Sequence, residues 1–218
     1  MKQKEKGIVV LSGGSDSATV AYWATKQGYD LCGLSFNYGQ IGLKEVEHAK
    51  LIAQKLGMQL TVIDLSSLKD IYVGVTSLVD EKIEMTESFS QSIIVPFRNA
   101  IFLSIAVAYA VSVGAKKIFY GAQGSDEPFY PDCRKEFYKS FETTARLGTG
   151  ENIAVEAPFC DVPKSTIIRR GLELGVPFEL TWSCYFGGPK HCGKCESCLN
   201  RKRAFGEAQV QDPTEYYV

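Results

Sequence analysis

The sequence predicts an α/β protein built on a doubly wound parallel sheet, with a small metal-binding region at its C-terminal end. Three observations predict it. Short apolar, strand-like runs alternate with helix-like stretches from Gly7 to Gly175, the order that calls for a parallel sheet covered on both faces. The first run leads straight into Leu11-Ser12-Gly13-Gly14-Ser15-Asp16-Ser17, a loop of glycines and hydroxyls. Four cysteines, Cys184, Cys192, Cys195 and Cys198, crowd a short stretch near the end.

Each element has its own signal. Gly7 to Val10 is a buried strand, and Ala18 to Gln27 the helix after the loop. Leu31 to Phe36 is a second strand. Gln40 to Leu56 places Leu43, Val46, Ala49, Ile52, Ala53 and Leu56 at helical spacing, with Gly57 to close it. Gln59 to Leu65 alternates as a third strand. The polar stretch Ser66 to Ser92 has weak patterning, and long excursions of this kind are functional or mobile. Pro96-Phe97-Arg98-Asn99 leads into an apolar helix, Ala100 to Val113. Lys117 to Gly121 is a fourth strand, followed by a loop dense in Gly, Asp and Pro as far as Arg134. A helix from Phe137 to Leu147 and a strand from Ile153 to Val155 come next. Pro163, at a first-turn position, opens a helix that Gly175 ends. The expected division is residues 1–180 for the sheet domain and 181–218 for the cysteine region packed on it.

Length and composition bound the function. A chain of 218 residues with 45% hydrophobic content can bury a sizeable core. A net charge of -1 argues against broad nucleic-acid coating, so no nucleic-acid partner is expected. The N-terminus shows no signal-peptide core, and the longest apolar stretch, Ile101 to Val113, is short for a bilayer and carries Ser104, Tyr109 and Ser112. A cytoplasmic protein with no membrane partner is expected. Seven cysteines in such a compartment are thiols or metal ligands rather than a disulfide framework.

Two motifs carry chemistry. A tight loop between a strand and a helix turns its N–H groups outward, and the helix adds partial positive charge, so Ser12 to Ser17 is a candidate anion cradle. It lacks the Gly-Lys-Ser/Thr of a Walker loop, the GxGxxG of a dinucleotide fold and the last glycine of a nucleophile elbow. Cys184-x7-Cys192-x2-Cys195-x2-Cys198 matches the tetrahedral demand of structural Zn²⁺, against free thiols or an iron–sulfur cluster as the alternatives. His191 reads as a neighbour of that site. Cys32 and Cys160 read as core, Cys133 as packing rather than a nucleophile, and Arg201-Lys202-Arg203 as a solvated face.

Ser12-Gly13-Gly14-Ser15-Asp16-Ser17 resembles the SGGxDS loop of the ATP pyrophosphatase (PP-loop) superfamily, whose members adenylate a substrate oxygen and release pyrophosphate. Alone it is similar to NAD and GMP synthetases, argininosuccinate synthetase and tRNA thiolases alike. Tyr130-Pro131-Asp132-Cys133-Arg134 resembles the YPDCR signature of the QueC family of 7-cyano-7-deazaguanine synthases. Val95-Pro96-Phe97-Arg98-Asn99 resembles its VPxRN segment, and Leu180 to Tyr185 with the cysteines its zinc site. The resemblance runs from Lys6 to about Arg203. Two departures are Ala18, where many members carry Ser or Thr, and Phe129, where glycine is frequent.

The resemblance implies an adenine nucleotide alpha hydrolase-like, Rossmann-like fold. It implies a ligase that turns 7-carboxy-7-deazaguanine and ammonia into the nitrile through an adenylated carboxylate and an amide, for queuosine or archaeosine precursors. ATP, Mg²⁺ and structural Zn²⁺ are the implied cofactors and a homodimer the implied assembly; a tRNA thiolase is the alternative. The nucleotide-binding stretch is then Val10, Leu11, Ser12, Gly13, Gly14, Ser15, Asp16, Ser17, Ala18, Thr19 and Val20. Asp16, Arg98, Asp132, Arg134 and Lys164 become catalytic candidates, Asp16 as a Mg²⁺ holder against a plain helix cap. Arg98, Asp126, Tyr130, Asp132 and Arg134 become acceptor-binding candidates, because a guanine-like edge offers donors and needs an acceptor such as Asp126. For the loop aspartates the competing reading is turn chemistry, and for Arg98 a surface ion pair.

Overall fold

The computed structural model describes residues 4–126 and 128–217. Five parallel strands form one sheet: β1 (Lys6–Val10), β2 (Asp30–Asn37), β3 (Gln59–Asp64), β4 (Lys117–Phe119) and β5 (Ala154–Glu156). Their spatial order is β3-β2-β1-β4-β5, so the winding reverses beside β1. In such a sheet the loops after the two strands at the reversal part and leave a crevice at their carboxyl ends. Here those strands are β1 and β4, and the loop Leu11–Gly14 is one wall of the crevice. Ile8 and Val9 are fully buried because β1 is central and covered on both faces.

Helices α1 (Ser15–Lys26), α2 (Lys44–Leu56), α6 (Lys164–Leu174) and α7 (Glu196–Ala208) share the core on one face. Helices α4 (Arg98–Val113) and α5 (Lys135–Thr149) build the core on the other. The short α3 (Lys69–Tyr72) lies in the polar excursion.

Several elements differ from the sequence expectation. Helix α1 begins at Ser15, so Ser15, Asp16 and Ser17 form its first turn rather than the loop. Helix α2 begins only at Lys44, because Tyr38 to Gln40 fold back, with Gln40 Oε1 accepting the Tyr38 N–H at 2.8 Å. Pro163 is the N-cap of α6, one place before the helix. The excursion is not a loose loop: Tyr72, Thr76, Ser77, Leu78 and Val79 are buried, and Ser77 N–H donates to Ser92 O at 2.8 Å. The stretch Gln91–Val113, with mean hydropathy 1.7, is long and apolar enough for a bilayer by composition. Phe97, at φ 58°, interrupts it, and α4 runs for 16 residues as a core helix.

The largest correction concerns Arg201, which is fully buried rather than part of a solvated face. Helix α7 was not legible, and it carries this side chain inward. The Arg201 guanidinium pairs with Asp212 at 3.1 Å and donates to Thr181 Oγ1 at 2.7 Å, Ser183 Oγ at 3.3 Å and Phe178 O at 3.0 Å. It ties α7, the C-terminal strip and the Phe178–Ser183 segment together, and a buried charge with four of its five donors bonded is stable only as a set. Arg201→Met is expected to lower the unfolding free energy by about 3 kcal/mol, since Asp212 is left without its cation. The urea midpoint with an unchanged slope measures this; a loss under ~0.5 kcal/mol contradicts it.

Candidate active site

The crevice holds a cavity of about 760 Å³. Its phosphate-loop wall is built from the turn at Gly13. That residue sits at φ 85°, and a Cβ there would lie 2.2 Å from Glu45 O and 2.7 Å from Ala49 N. Only glycine fits a left-handed position pressed against another helix. The hydroxyls then hold the loop to itself. Ser12 and Ser17 Oγ lie 3.0 Å apart, Ser12 Oγ accepts the Gly14 N–H at 3.3 Å, and Ser17 Oγ accepts the Ser12 N–H at 3.2 Å. Among the described residues no side chain caps α1. The first-turn N–H groups of α1 are therefore left for a ligand in the cavity that Gly14, Ser15, Asp16 and Ser17 line.

Lys164, from the first turn of α6, reaches this wall and pairs with Asp16 at 2.9 Å. Burial alone would lower its pKa, but Asp16 and Asp126 outweigh it and keep the ammonium charged. Asp16 is thus neither a helix cap nor unpartnered: Gly14 occupies the cap position, and Asp16 is the second residue of the helix.

The opposite wall comes from β2, α2, α4 and the loop after β4. Arg98 Nη1 donates to Tyr38 Oη at 2.8 Å, with its guanidinium carbon 5.3 Å from the Tyr38 ring. This is an interior contact rather than a surface ion pair. Burial works against the Arg98 charge, but Tyr38, Glu45 and Asp132 hold it firmly protonated. Asp132 Oδ2 accepts the Asn99 N–H at 3.3 Å and so fixes the start of α4. Asp126 is pushed up to about 6 by burial, against the pull of Lys164, and accepts from Gln123 Nε2 at 3.1 Å. Cys133 has its thiol pushed up by burial, which fits packing rather than nucleophilic use. Phe89 packs on Phe129 and Tyr130 at the rim, with centroids 4.4 and 5.8 Å away.

Of the residues singled out in the sequence, Val10, Leu11, Ser12, Gly14, Ser15, Asp16, Ser17, Arg98, Asp126, Tyr130, Asp132 and Lys164 line this one cavity. Gly13 shapes it from behind. Ala18, Thr19 and Val20 are buried in α1 and do not line it, and Thr19 Oγ1 donates to Ser15 O at 2.8 Å. Arg134 is the exposed N-cap of α5 and is not a lining residue either. Sequence reasoning missed Tyr38, Glu45, Gln123 and Glu196, all of which line the cavity. Tyr38 sits just past the end of β2, where the carboxyl-end rule would have found it.

The four cysteine sulfurs lie within 4.8 Å of one another, with Cys192 and Cys198 Sγ 3.9 Å apart. Four ligands at ~2.3 Å around one tetrahedral ion sit at about that spacing, so the set fits a metal. Backbone N–H groups of Phe186 and Cys192 point at Cys184 Sγ at 3.4 and 3.3 Å, and that of Cys195 at Cys192 Sγ at 3.2 Å, as thiolates require. His191 is a neighbour: its Nε2 accepts the Ser183 N–H at 3.0 Å and its ring lies 4.0 Å from Trp182. Trp182, Ser183, Glu196, Ser197 and Asn200, which flank the cysteines, line the cavity. The cysteine cluster therefore stands directly behind a wall of the same site.

Sheet order, an uncapped helix after a Gly-Gly loop and a lysine at its mouth define a nucleotide-binding α/β protein of the PP-loop type. Solved structures agree on the fold. A 4-thiouridine synthetase bound to RNA and ATP matches 94% of this chain and 50% of its own, at TM-score 0.57 and 18% identity. An NMN synthetase from Francisella tularensis matches 96% and 79%, at 0.55 and 16%. The model of the queuosine biosynthesis protein QueC family matches residues 6–209, and the chain belongs to that family. A 7-cyano-7-deazaguanine synthase of Caldicellulosiruptor bescii is 44% identical over 98% of both chains, and one of Archaeoglobus fulgidus is 43% identical over 95% of this chain and 89% of its own. The protein is an enzyme of this family.

Glu45, in the first turn of α2, is the group whose titration reports the site. Burial pushes its pKa from 4.5 up to about 7, with Arg98 pulling the other way. The folded chain holds this proton more tightly than the unfolded one. The stabilisation is full below about 4.5 and is lost as the pH rises through about 7. Glu45→Gln is expected to gain stability on the wild type across that window, read as the difference in urea midpoints. A difference that does not change with pH contradicts it.

Proposed function

We propose that the enzyme makes 7-cyano-7-deazaguanine from 7-carboxy-7-deazaguanine and ammonia, with ATP spent on activating the acceptor's oxygen. The observation that carries this reading is the uncapped start of α1 in a cavity shared with Lys164 and Arg98. A carboxylate is a poor electrophile, and making its oxygen part of AMP gives it a leaving group. Ammonia, losing one proton, replaces AMP to give the amide; activation of the amide oxygen and loss of both remaining N–H protons and AMP then give the nitrile.

This chain's residues supply position and charge. The N–H groups of the first turn of α1, from Ser15 onward, hold the β- and γ-phosphates, the group that departs, and Gly13 and Gly14 shape the turn that presents them. Lys164 neutralises charge developing there and Asp16 orients it, with Mg²⁺ supplying further charge at Asp16. Arg98, fixed by Tyr38, faces the acceptor carboxylate. Tyr130 and the rim aromatics receive the flat face of the base. Asp132 holds the start of α4 and with it Arg98, and Arg134 acts from outside the cavity by holding α5. The cysteines hold Zn²⁺, a closed four-thiolate site with a structural role. We carry the reading with a cytoplasmic homodimer that uses no tRNA; the thiolase alternative lacks support in a net charge of -1.

Purified protein with ATP, Mg²⁺, ammonium and 7-carboxy-7-deazaguanine, and no RNA, is expected to release AMP and pyrophosphate and form the nitrile. Lys164→Ala is expected to lower kcat/KM for ATP by ~10²–10³, as for loss of one charge-stabilising donor. Mass spectrometry of the base and a pyrophosphate assay read both. No nitrile from the wild type refutes the function.

A further inference from the structure

Gln123 is a buried residue with an unused acceptor. It lies in the loop after β4 and is 2% exposed, and its Oε1 has no hydrogen-bond partner among the described residues. Its Nε2 donates to Asp126 Oδ1 at 3.1 Å. That bond decides which way the amide faces, because the reversed amide would set two acceptors against each other. A buried acceptor held without a donor is unfavourable, and native interiors rarely keep one unless a water, ion or ligand fills the role.

The position narrows what that donor is. A second cavity of about 390 Å³ lies between the start of α6 and the middle and end of α7, and Gln123, Lys164 and Asn200 line both it and the main cavity. These side chains form the partition between the two. The outer rim of the second cavity is made of exposed Ser125, Arg203 and Glu207. Gln123 Oε1 is out of solvent contact, so the group that satisfies it is small, of the size of a water or an ammonia, and not the edge of a base. Lys164 pairs with Asp16 and also faces Asp126; with Glu196 nearby the carboxylates outnumber that one ammonium, which favours a cation or a strong N–H donor at this end.

We propose that Gln123 Oε1 and the Asp126 carboxylate form the receiving site for ammonia or ammonium, and that the second cavity is its route in. The proposal rests on the function above, in which ammonia is the nucleophile. It also gives a reason for two openings: ATP and the acceptor occupy the main cavity, and a nucleophile that arrives last needs a path they do not block.

Steady-state kinetics on the full chain with varied ammonium chloride tests it. Gln123→Leu removes the acceptor at similar volume and is expected to raise KM for ammonium about tenfold or more, as for one lost hydrogen bond to a charged donor, with KM for ATP and the carboxylate within about twofold. Ser125→Phe, on the exposed rim, narrows the route and is expected to raise KM for ammonium in the same selective way. It decides the matter should Gln123→Leu fail to fold. A rise in KM for the carboxylate instead would assign Gln123 to the base and overturn the site. Wild-type turnover with KM for ammonium unchanged in the variants overturns the site and leaves the function standing, whereas a wild type without turnover overturns both.

Discussion

The turn at Gly13 is the constraint on which the rest of the site depends. Its left-handed φ brings β1 round into α1, and its missing side chain lets α2 approach until Glu45 O would touch a Cβ. Its carbonyl accepts the Trp182 N–H at 2.9 Å. One residue therefore sets the distance between the anion cradle, the helix carrying Glu45 and the segment that leads into the cysteines. Gly121, whose Cβ would lie 3.0 Å from Ser17 N, gives the same close approach from the β4 side.

From that contact the cysteine cluster acquires its meaning. Trp182 and Ser183 precede the first cysteine and Glu196 follows the third, and each lines the cavity. Tyr185 Oη donates to Glu196 Oε2 at 3.0 Å, and Arg201 holds Thr181 and Ser183 from beneath. An ion held by the four cysteines would fix a stretch of chain with little regular structure of its own, and with it a wall of the site. A closed structural metal can matter to catalysis in this way without touching substrate.

What was legible in the sequence follows a physical division. Strands, their parallel order and the glycine loop are local signals, because burial and φ constraints act on neighbours in the chain. Hence Ser12 to Ser17, Lys164 and the four cysteines were found. The helix boundaries slipped where side chains outside the periodic pattern intervene, as at Gln40, whose bond to Tyr38 N–H delays α2. Glu45 escaped for the same reason: read inside a longer surface helix, it gave no sign of facing a cavity. Arg201 in a basic run looked solvated, and only its four distant partners show otherwise. Gln123 carried no motif at all; its significance lies in an acceptor that nothing in the described chain satisfies.

The central chemical claim is that the cradle grips the departing pyrophosphate, so that the α-phosphorus receives the acceptor's oxygen. Oxygen transfer reports this directly. With 7-carboxy-7-deazaguanine labelled with ¹⁸O at both carboxylate oxygens, the AMP formed is expected to carry one labelled oxygen, from the carboxylate in the first activation and from the amide in the second. Mass spectrometry of the nucleotide gives the answer. Unlabelled AMP, or label in the pyrophosphate, would contradict the account.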